Sequence, residues 1–350
     1  MRTELLPRNA AYYRANLHCH TTLSDGKKTP EQIKADYLAH GYSVVAFTDH
    51  DKYYCHNDLT DSRFVALNGF ELEYYATPWR GKTCHLCFIA KRPDNEAFGW
   101  SSPEPPVFIK TLPEGALDPD EGGQLYRVTC PGRKYNAAYI NADIAAGRDM
   151  GFFVTYNHPT WSLERYPDYS LYRGMHAMEI ANSGCLEEGY CDDNGRPYED
   201  LLSVGNRIFC IAADDNHNTA PDTSSASDSY GCYVMLAAEE LTYAAVIEAL
   251  EKGRFYSCAR VNPGAGECPR IRNLWLEDGA VHIETTEAAN IALIKDVRPF
   301  KMKIAEAGKP LTEAQFEVGE CGWFRLTVTG FNGCKAYTNA FFTDVSKCTD

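Results

Sequence analysis

Short apolar segments that end in histidine and acidic residues are the feature that most constrains the fold of this chain. Residues 43–48 form an apolar run typical of a β-strand buried on both faces, and Asp49 and His50 follow it directly. Six of the ten histidines lie at the ends of predicted strands, with acidic residues nearby. They are His18, His20, His50, His85, His158 and His217.

The segment between the first two predicted strands, residues 14–18 and 43–48, has the pattern of a helix. Apolar residues recur at helical spacing over 30–40, Thr29 followed by a proline is a typical helix start, and Gly41 is a typical end. Strand, helix and strand in this order predict the βα units of an α/β fold. Further strands are predicted at 64–67, 85–90, 152–156, 178–180 and 208–212, and further helices at 136–149, 198–204 and 241–252.

The length of 350 residues predicts about two domains. The α/β pattern extends over residues 1–261, within which the proline-rich segment 91–135 is predicted to be an irregular surface insertion. From about residue 262 onward, strand-like segments follow one another with turn residues between them and no convincing helix. We therefore predict a small all-β domain of the sandwich type over residues 262–350.

The residues at the strand ends are typical metal ligands. In a strand, residues i and i+2 point to the same side, so His18 and His20 can hold one cation together, and Asp215 and His217 have the same spacing. Imidazole and carboxylate groups suit Zn, Mn or Fe ions rather than Ca. They outnumber the ligands that one ion requires, which predicts a multinuclear site in which Glu71 could bridge two ions. Without a cation, burial of so many polar groups would be costly.

Three acidic residues beside these ligands have competing interpretations. Asp49 is equally compatible with orienting an imidazole and with a structural role in a turn. Glu73 shares the face of Glu71, but a solvated acid is the favoured interpretation. Asp214 should point away from the side of Asp215, which indicates a structural role.

Basic and aromatic residues near the predicted site are candidates for substrate binding. An arginine fork matches the geometry of a phosphate, which makes Arg133, Arg196 and Arg207 candidates for substrate binding, although an exposed solubilising role is favoured for each. Trp161 could stack on a ring of the substrate, but packing of its loop is the favoured interpretation. The histidines that match no motif are interpreted as structural. They are His40, His56, His176 and His282.

Taken in chain order, the motifs resemble those of a known family. They are His18-x-His20-x4-Asp25-Gly26, Thr48-Asp49-His50, Glu71, His85, Asn157-His158-Pro159 and Asp215-x-His217. This set resembles the PHP family (polymerase and histidinol phosphatase) over residues 14–258, apart from the insertion. The phrases Gly253-Arg-Phe-Tyr-Ser257 and Ala336-Tyr-Thr-Asn339 further resemble the branch with a C-terminal β domain, which includes carbamate-hydrolysing members of the CehA/McbA type.

The resemblance implies an α/β fold, a distorted (β/α)7 PHP barrel with metals at the C-terminal face of its strands, followed by the small C-terminal all-β domain. It also implies two or three divalent metal ions (Zn, Mn or Fe) at three neighbouring positions. The first would be held by His18, His20, Glu71 and Asp215, the second by Glu71, His85 and His158, and the third by Asp25, His50 and His217.

The function expected from this site is hydrolysis of phosphoester bonds in a small organic phosphate or nucleotide by metal-bound hydroxide. Asp25, His50 and His217 are the candidate catalytic acids or bases. Two alternatives remain open. The same metal site could hydrolyse a carbamate or an amide, or the chain could be a non-catalytic, metal-stabilised binding module.

Composition limits the partners of the chain. A formal net charge of −14 disfavours binding to a nucleic-acid duplex, which needs a basic surface. The chain has no long uninterrupted apolar run that predicts a membrane span, and its first residues lack the apolar segment of a secretory signal. We therefore expect a cytoplasmic enzyme with a small phosphorylated substrate, and an oligomer is compatible with the sequence.

Overall fold

The computed structural model describes residues 1–8, 10–76, 81–95, 133–190, 194–262, 264–298 and 300–343, and the backbone of 107–109 and 125–129. The fold is a mixed α/β structure, rich in sheet and with few helices. No helix among the described residues is long and apolar enough to cross a membrane. The insertion predicted for 91–135 lies largely outside the described residues.

The strands in chain order are β1 (Arg2–Glu4), β2 (Ala11–Asn16), β3 (Tyr42–Phe47), β4 (Lys52–Tyr54), β5 (Val65–Tyr75), β6 (Thr83–Ala90), β7 (Val107–Ile109), β8 (Leu125–Thr129), β9 (Phe152–Asn157), β10 (Ala177–Asn182), β11 (Phe209–Ala213), β12 (Cys232–Ala238), β13 (Phe255–Ala259), β14 (Ile271–Glu277), β15 (Ala280–Ala288), β16 (Asn290–Lys295), β17 (Lys301–Ile304), β18 (Leu311–Glu317), β19 (Trp323–Thr329), β20 (Lys335–Thr338) and β21 (Phe341–Phe342). The α-helices are α1 (Pro30–Ala39), α2 (Ala137–Asp149), α3 (Tyr166–Tyr169), α4 (Ser183–Glu187), α5 (Gly195–Ser203) and α6 (Tyr243–Glu251), and a short 3-10 helix covers Asn57–Leu59.

The largest sheet has fourteen strands, in the order β11-β10-β9-β6-β5-β3-β2-β12-β13-β20-β19-β16-β17, with β21 paired to β19. Parallel pairs join β2 to β3, β3 to β5, β9 to β10 and β10 to β11. Strand β6 runs antiparallel to both of its neighbours, β5 and β9. Two smaller sheets have the orders β1-β14-β15-β18 and β4-β8-β7.

Backbone hydrogen bonds connect the segments that follow β2 and β11, although these strands are not neighbours in the sheet order. The amide of Asp215 donates to the carbonyl of His18 at 3.0 Å, and the amide of His20 donates to the carbonyl of Asn216 at 3.1 Å. The two pairs of predicted ligands with i and i+2 spacing therefore lie side by side.

Local sequence signals explain the main helices. Thr29 caps α1 and Pro30 occupies its first turn, as the sequence predicts, and Gln32 completes a capping box with Thr29. Asn136 caps α2 and Thr242 caps α6 by accepting hydrogen bonds from backbone amides. The predicted positions of these three helices are confirmed. The start of each helix depends on residues that are close in sequence, which is why a local pattern predicts it.

Strand β5 is much longer than the predicted segment 64–67. Its second half contains Glu71 and Glu73, which break the apolar pattern of a buried strand, yet Glu71 is almost wholly buried. The sequence patterns predict no strand at β12 or β13, which pair antiparallel with each other and are connected by α6. These strands are stabilised by sheet partners that are distant in sequence, which a local pattern does not reveal.

Alternation along β5 and β6 separates the core from the site. Phe70, Leu72 and Tyr74 of β5 point into the same apolar cluster as Leu86 and Phe88 of β6. The rings of Phe70 and Phe88 stack with centroids 5.1 Å apart. Because side chains alternate along a strand, the intervening residues point to the opposite face. Those residues are Glu71, Glu73, His85 and Cys87.

The strands predicted beyond residue 262 are present as β14, β15, β16, β19 and β20. Strand β20 pairs antiparallel with β13, where Tyr256 lies opposite Thr338, so hydrogen bonds of one sheet cross the predicted boundary. Strand β1 pairs with β14, where Thr3 lies opposite Leu276. A separate all-β domain over 262–350 stays a prediction.

Candidate metal centre

The nine predicted metal ligands come together at one edge of the fold. A cavity of about 680 Å³ opens there, and its acidic and histidine lining includes Asp25, His50, Glu71, His85, His158, Asp215 and His217. His18 and His20 lie beneath it and are inaccessible to solvent. Residues from six separate segments of the chain thus meet at one place.

Four ligand atoms converge in the first cluster. The Nε2 atoms of His18 and His20 lie 3.1 Å apart. The Oε2 atom of Glu71 lies 3.2 Å from His18 Nε2 and 3.3 Å from His20 Nε2. The Oδ1 atom of Asp215 lies 3.1 Å and 3.0 Å from the same two nitrogens. Ligands about 2.0–2.1 Å from a tetrahedral zinc ion are about 3.3 Å from one another, so this spacing fits one divalent cation.

Unpaired atoms in this cluster support the same fit. Glu71 Oε2, Asp215 Oδ1 and His20 Nδ1 are buried and have no hydrogen-bond partner among the described residues. Buried carboxylate oxygens without donors are costly unless a cation compensates for their charge. The donor set of two imidazoles and two carboxylates is one that Zn, Mn or Fe accepts.

A second cluster lies on the other side of Glu71. Its Oε1 atom is 3.2 Å from His85 Nδ1 and 3.5 Å from His158 Nε2. His50 Nδ1 also lies 3.2 Å from Glu71 Oε2, so His50 comes close enough to share an ion with Glu71 and His85. Glu71 Oε1 therefore faces His85 and His158, whereas Oε2 faces His18, His20 and His50, an arrangement compatible with the bridging role predicted from the sequence.

The third cluster lies at the mouth of the cavity. Asp25 Oδ2 is 3.5 Å from His217 Nε2 and 3.9 Å from His50 Nε2. His20 also belongs to this group, because its Nδ1 atom is 3.7 Å from Asp25 Oδ1. The resemblance implies His20 as a ligand of the first position alone. This cluster is looser and more exposed than the first.

Charge interactions in the clusters oppose the effect of burial. Burial disfavours ionisation of Glu71, but the imidazoles of His18 and His85 hold the pKa of Glu71 well below its usual range. Burial lowers the pKa of His20, but Asp215 and Glu71 together raise it to about 9. The acids around His20 thus favour its protonated form when no metal is bound. Because metal ions and protons compete for the same nitrogens, metal affinity should fall as the pH falls.

Asp49 holds the loop that leads to the third cluster. Its Oδ1 atom accepts hydrogen bonds from the backbone amides of Thr21 (2.7 Å) and Ser24 (3.1 Å). A Cβ atom on Gly26 would lie 2.6 Å from the carbonyl oxygen of His20, so the loop closes tightly only with glycine there. Of the two interpretations of Asp49, these contacts support the structural one.

Two other acids have clear partners. Asp214 is buried and accepts hydrogen bonds from five groups, namely the backbone amides of Tyr230, Gly231 and Cys232 and the hydroxyls of Tyr37 and Ser183. Its role is structural, as predicted. The favoured interpretation of Glu73 as a solvated acid is wrong, because its Oε1 atom lies 2.9 Å from His85 Nε2 and can orient that imidazole.

The basic candidate Arg133 and the aromatic candidate Trp161 have different surroundings in the structure. Arg133 donates to the carbonyl of Glu73 at 2.9 Å and pairs with Asp51, which commits its guanidinium to the protein. Trp161 lines the cavity and packs edge-to-face on His158 of its own loop, which is compatible with the favoured interpretation of loop packing. Its indole N–H donates to Glu188 at 2.6 Å.

Glu179 is a residue of the site that sequence reasoning missed. It is inaccessible to solvent, and its Oε1 atom lies 2.7 Å from His18 Nδ1. The available signal was an acid at the centre of the apolar segment predicted as a strand at 178–180. A charged residue in such a position is rarely buried unless it is paired.

No protein-family model matches the sequence, and no curated protein matches it either. One similar solved structure is a two-domain protein containing a predicted PHP-like metal-dependent phosphoesterase from Bacteroides vulgatus ATCC 8482, with 14% identity and a TM-score of 0.45 over 96% of this chain and 98% of that one. A second is a candidate metal-dependent phosphoesterase from Bifidobacterium adolescentis ATCC 15703, with 16% identity, a TM-score of 0.34 and coverage of 59% and 89%. A third is an amidohydrolase from Chromobacterium violaceum with bound sulfate and no metal, with 16% identity, a TM-score of 0.35 and coverage of 58% and 87%.

Proposed function

We propose that this chain is a metal-dependent hydrolase of the PHP family that cleaves phosphoester bonds of a small organic phosphate or nucleotide. The observation that carries the proposal is the convergence of four buried ligand atoms in the first cluster, two of them carboxylate oxygens without donors among the described residues. The proposal includes a distorted (β/α)7 barrel as the scaffold and a small β domain over 262–350.

Two or three divalent ions would occupy the clusters. They would be held by His18, His20, Glu71 and Asp215, by Glu71, His85 and His158, and by Asp25, His50 and His217. When bound, such ions supply Lewis acidity toward a phosphoryl or carbonyl oxygen and lower the pKa of a water molecule. Occupancy of the third position is the least supported part of the proposal, since its ligand atoms are farthest apart.

The chain's own residues at the cavity mouth would move protons. Burial and the neighbouring His20 lower the pKa of His50 to about 4, so His50 is neutral near pH 7 and can accept a proton. Burial opposes protonation of His217, but contact with Asp25 raises the pKa of His217 above its usual value. In a form with two ions, Asp25, His50 and His217 would not be committed to metal, and they are the candidate acids or bases at the cavity mouth.

The first test is the metal content of protein purified without chelator, measured by elemental analysis and followed by phosphate release from a panel of phosphate monoesters. We expect two or three equivalents of Zn, Mn or Fe and measurable turnover. Asp215→Asn should lose metal and turnover together, whereas Glu239→Gln, on the exposed surface, should keep both. Absence of bound metal after Zn and Mn are offered would sink the proposal. Bound metal without turnover on any phosphate ester, carbamate or amide would favour the binding-module alternative.

A carbamate or amide hydrolase is the second candidate, and the charge of the cavity favours it. Among the described lining residues there is no Lys or Arg, whereas several are acidic, including Glu187, Glu188 and Asp228. A phosphate dianion would depend on the metal ions alone for compensation of its charge, while a neutral carbonyl substrate would not. Release of amine or phenol instead of phosphate, with the same metal dependence, would decide for this candidate.

A further inference from the structure

Glu179 is a buried carboxylate that lies outside the predicted metal positions and contacts two predicted ligands. It lies on β10 between Met178 and Ile180, both of which belong to the apolar core. Its Oε1 atom is 2.7 Å from His18 Nδ1, and its Oε2 atom accepts a hydrogen bond from the backbone amide of His158 at 3.0 Å. An ionised acid in this setting requires partners such as these, because burial alone disfavours its charge.

Asn182 extends these contacts to a third ligand. Its Nδ2 atom donates to Glu179 Oε2 at 2.8 Å and lies 3.2 Å from Asp215 Oδ2. Asn182 itself is held in place, since its Oδ1 atom accepts from the amide of Cys185 at the start of α4. Glu179 and Asn182 thus connect His18, His158 and Asp215, which follow three different strands, β2, β9 and β11.

Proximity alone would also allow Glu179 to bind a metal ion, because it is grouped with His18 and His158 within the reach of one ion. Its oxygens argue against this interpretation. Glu179 Oε2 accepts from the amide of His158 and from Asn182, and Glu179 Oε1 faces His18 Nδ1 rather than the Nε2 atom of the first cluster. By contrast, Glu71 Oε2 and Asp215 Oδ1 have no hydrogen-bond partner among the described residues. The unpaired oxygens are the ones available to a cation.

We propose that Glu179 is a positioning residue for the first metal position. It accepts the Nδ1–H of His18, and a neutral imidazole with its proton on Nδ1 keeps the lone pair on Nε2. That lone pair faces the point at which His20, Glu71 and Asp215 converge. This inference rests on the proposed function, because it requires a metal ion at the first position.

Glu179→Gln is the informative variant because it keeps the shape of the side chain. An amide has one acceptor oxygen and one donor nitrogen. Its oxygen can therefore accept hydrogen bonds either from His18 or from His158 and Asn182, but not from both sides. In either orientation, one contact places two hydrogen-bond donors against each other. Either His18 or His158, which follows β9, then loses the hydrogen bond that orients it. Loss of such a partner typically weakens metal affinity by about 10–100-fold without removal of a ligand.

The experiment is titration of metal-free protein with Co²⁺, followed by visible absorbance, for the wild type, Glu179→Gln and Asp143→Asn. Asp143 is also inaccessible to solvent, but it lies on α2 and contacts Tyr74, which makes it a matched control for loss of a buried charge. We expect Glu179→Gln to bind the same number of ions as the wild type, the first about 10–100-fold more weakly and with an altered absorption spectrum. Asp143→Asn should bind like the wild type.

Three results would overturn the inference in different ways. Equal affinity and spectrum in Glu179→Gln and the wild type would show that His18 needs no such partner. Loss of one whole equivalent of Co²⁺ in Glu179→Gln, with the affinities for the other ions unchanged, would show that Glu179 is a metal ligand. Failure of the wild type to bind Co²⁺ or Zn²⁺ would overturn the proposed function as well. If Glu179→Gln does not fold, Glu179→Asp keeps the charge but shortens the reach to His18, and the same loss of affinity is expected.

Discussion

The Oε2 atom of Glu71 lies 3.2 Å from the Nε2 atom of His18, and both side chains are almost wholly buried. Two atoms that both carry lone pairs are stable at this distance, away from water, only if a proton or a cation lies between them. The apolar core behind β5 holds the carboxylate in this position through Phe70 and Leu72. The fold thus holds these two groups at a spacing that requires a proton or a cation between them.

Removal of metal is expected to lower the stability of the wild-type protein. An ion that binds only the folded chain stabilises it by about 2.7 kcal/mol when its concentration is a hundred times the Kd. Thermal unfolding with saturating Zn²⁺ and with a chelator measures the difference. Asp215→Asn should lose most of that difference, because it removes one of the four converging atoms. A wild-type midpoint that does not respond to either addition contradicts the prediction.

Asp49→Ala is expected to lose the ion of the third position while the first position keeps its ion. The carboxylate of Asp49 holds the loop from Thr21 to Ser24, which leads directly to Asp25. Elemental analysis of metal per chain measures the effect, and Asp58→Ala, at an exposed position, serves as the control. Full metal stoichiometry in Asp49→Ala would show that the loop does not need this anchor.

Glu164 is expected to make the free energy of unfolding decrease as the pH rises. Burial raises its pKa to about 7 from the ordinary 4.5, although the hydroxyls of Tyr156 (2.5 Å), Tyr172 (2.5 Å) and Tyr135 (2.8 Å) donate to the carboxylate. The folded protein therefore binds this proton more tightly than the unfolded chain. Its stabilising contribution is present below about pH 4.5 and is lost as the pH rises through about 7.

The measurement for Glu164 is urea unfolding at a series of pH values. The full contribution is on the order of 3 kcal/mol, from a pKa shift of roughly two units or more. Glu164→Gln cannot ionise and should lack this part of the pH dependence. Identical pH profiles for the variant and the wild type would show that Glu164 does not titrate in this range.

Asn339→Ala is expected to lower the free energy of unfolding by about 3 kcal/mol, because it leaves several buried backbone groups without partners. Asn339 Oδ1 accepts from the amide of Cys210 at 2.9 Å. Its Nδ2 atom donates to the carbonyls of Gly253 (3.2 Å) and Phe255 (3.1 Å). Urea unfolding measures the change. A loss well below 1 kcal/mol would mean that these contacts do not hold the C-terminal strands to β11 and β13.

Local signals accounted for much of the secondary structure. The start of α1 depends on Thr29 and Pro30, which are neighbours in sequence, and Thr29 caps the helix as the pattern predicts. The sequence of strand β3 is a continuous apolar run because both faces of the strand are buried. By contrast, β5 continues past its apolar part, because contacts with distant histidines compensate for burial of Glu71.

The sequence by itself determined which residues can form the site, namely the histidines and acids at the strand ends and their i, i+2 spacing, because such patterns depend only on neighbours along the chain. The tertiary structure alone decided which oxygen of Glu71 faces which cluster, that Glu179 contacts His18, and that β20 continues the sheet of β13. Strand periodicity predicts which side chains share a face, but not which strand lies alongside. That choice depends on backbone hydrogen bonds and core packing between residues far apart in sequence, and only the complete fold brings them together.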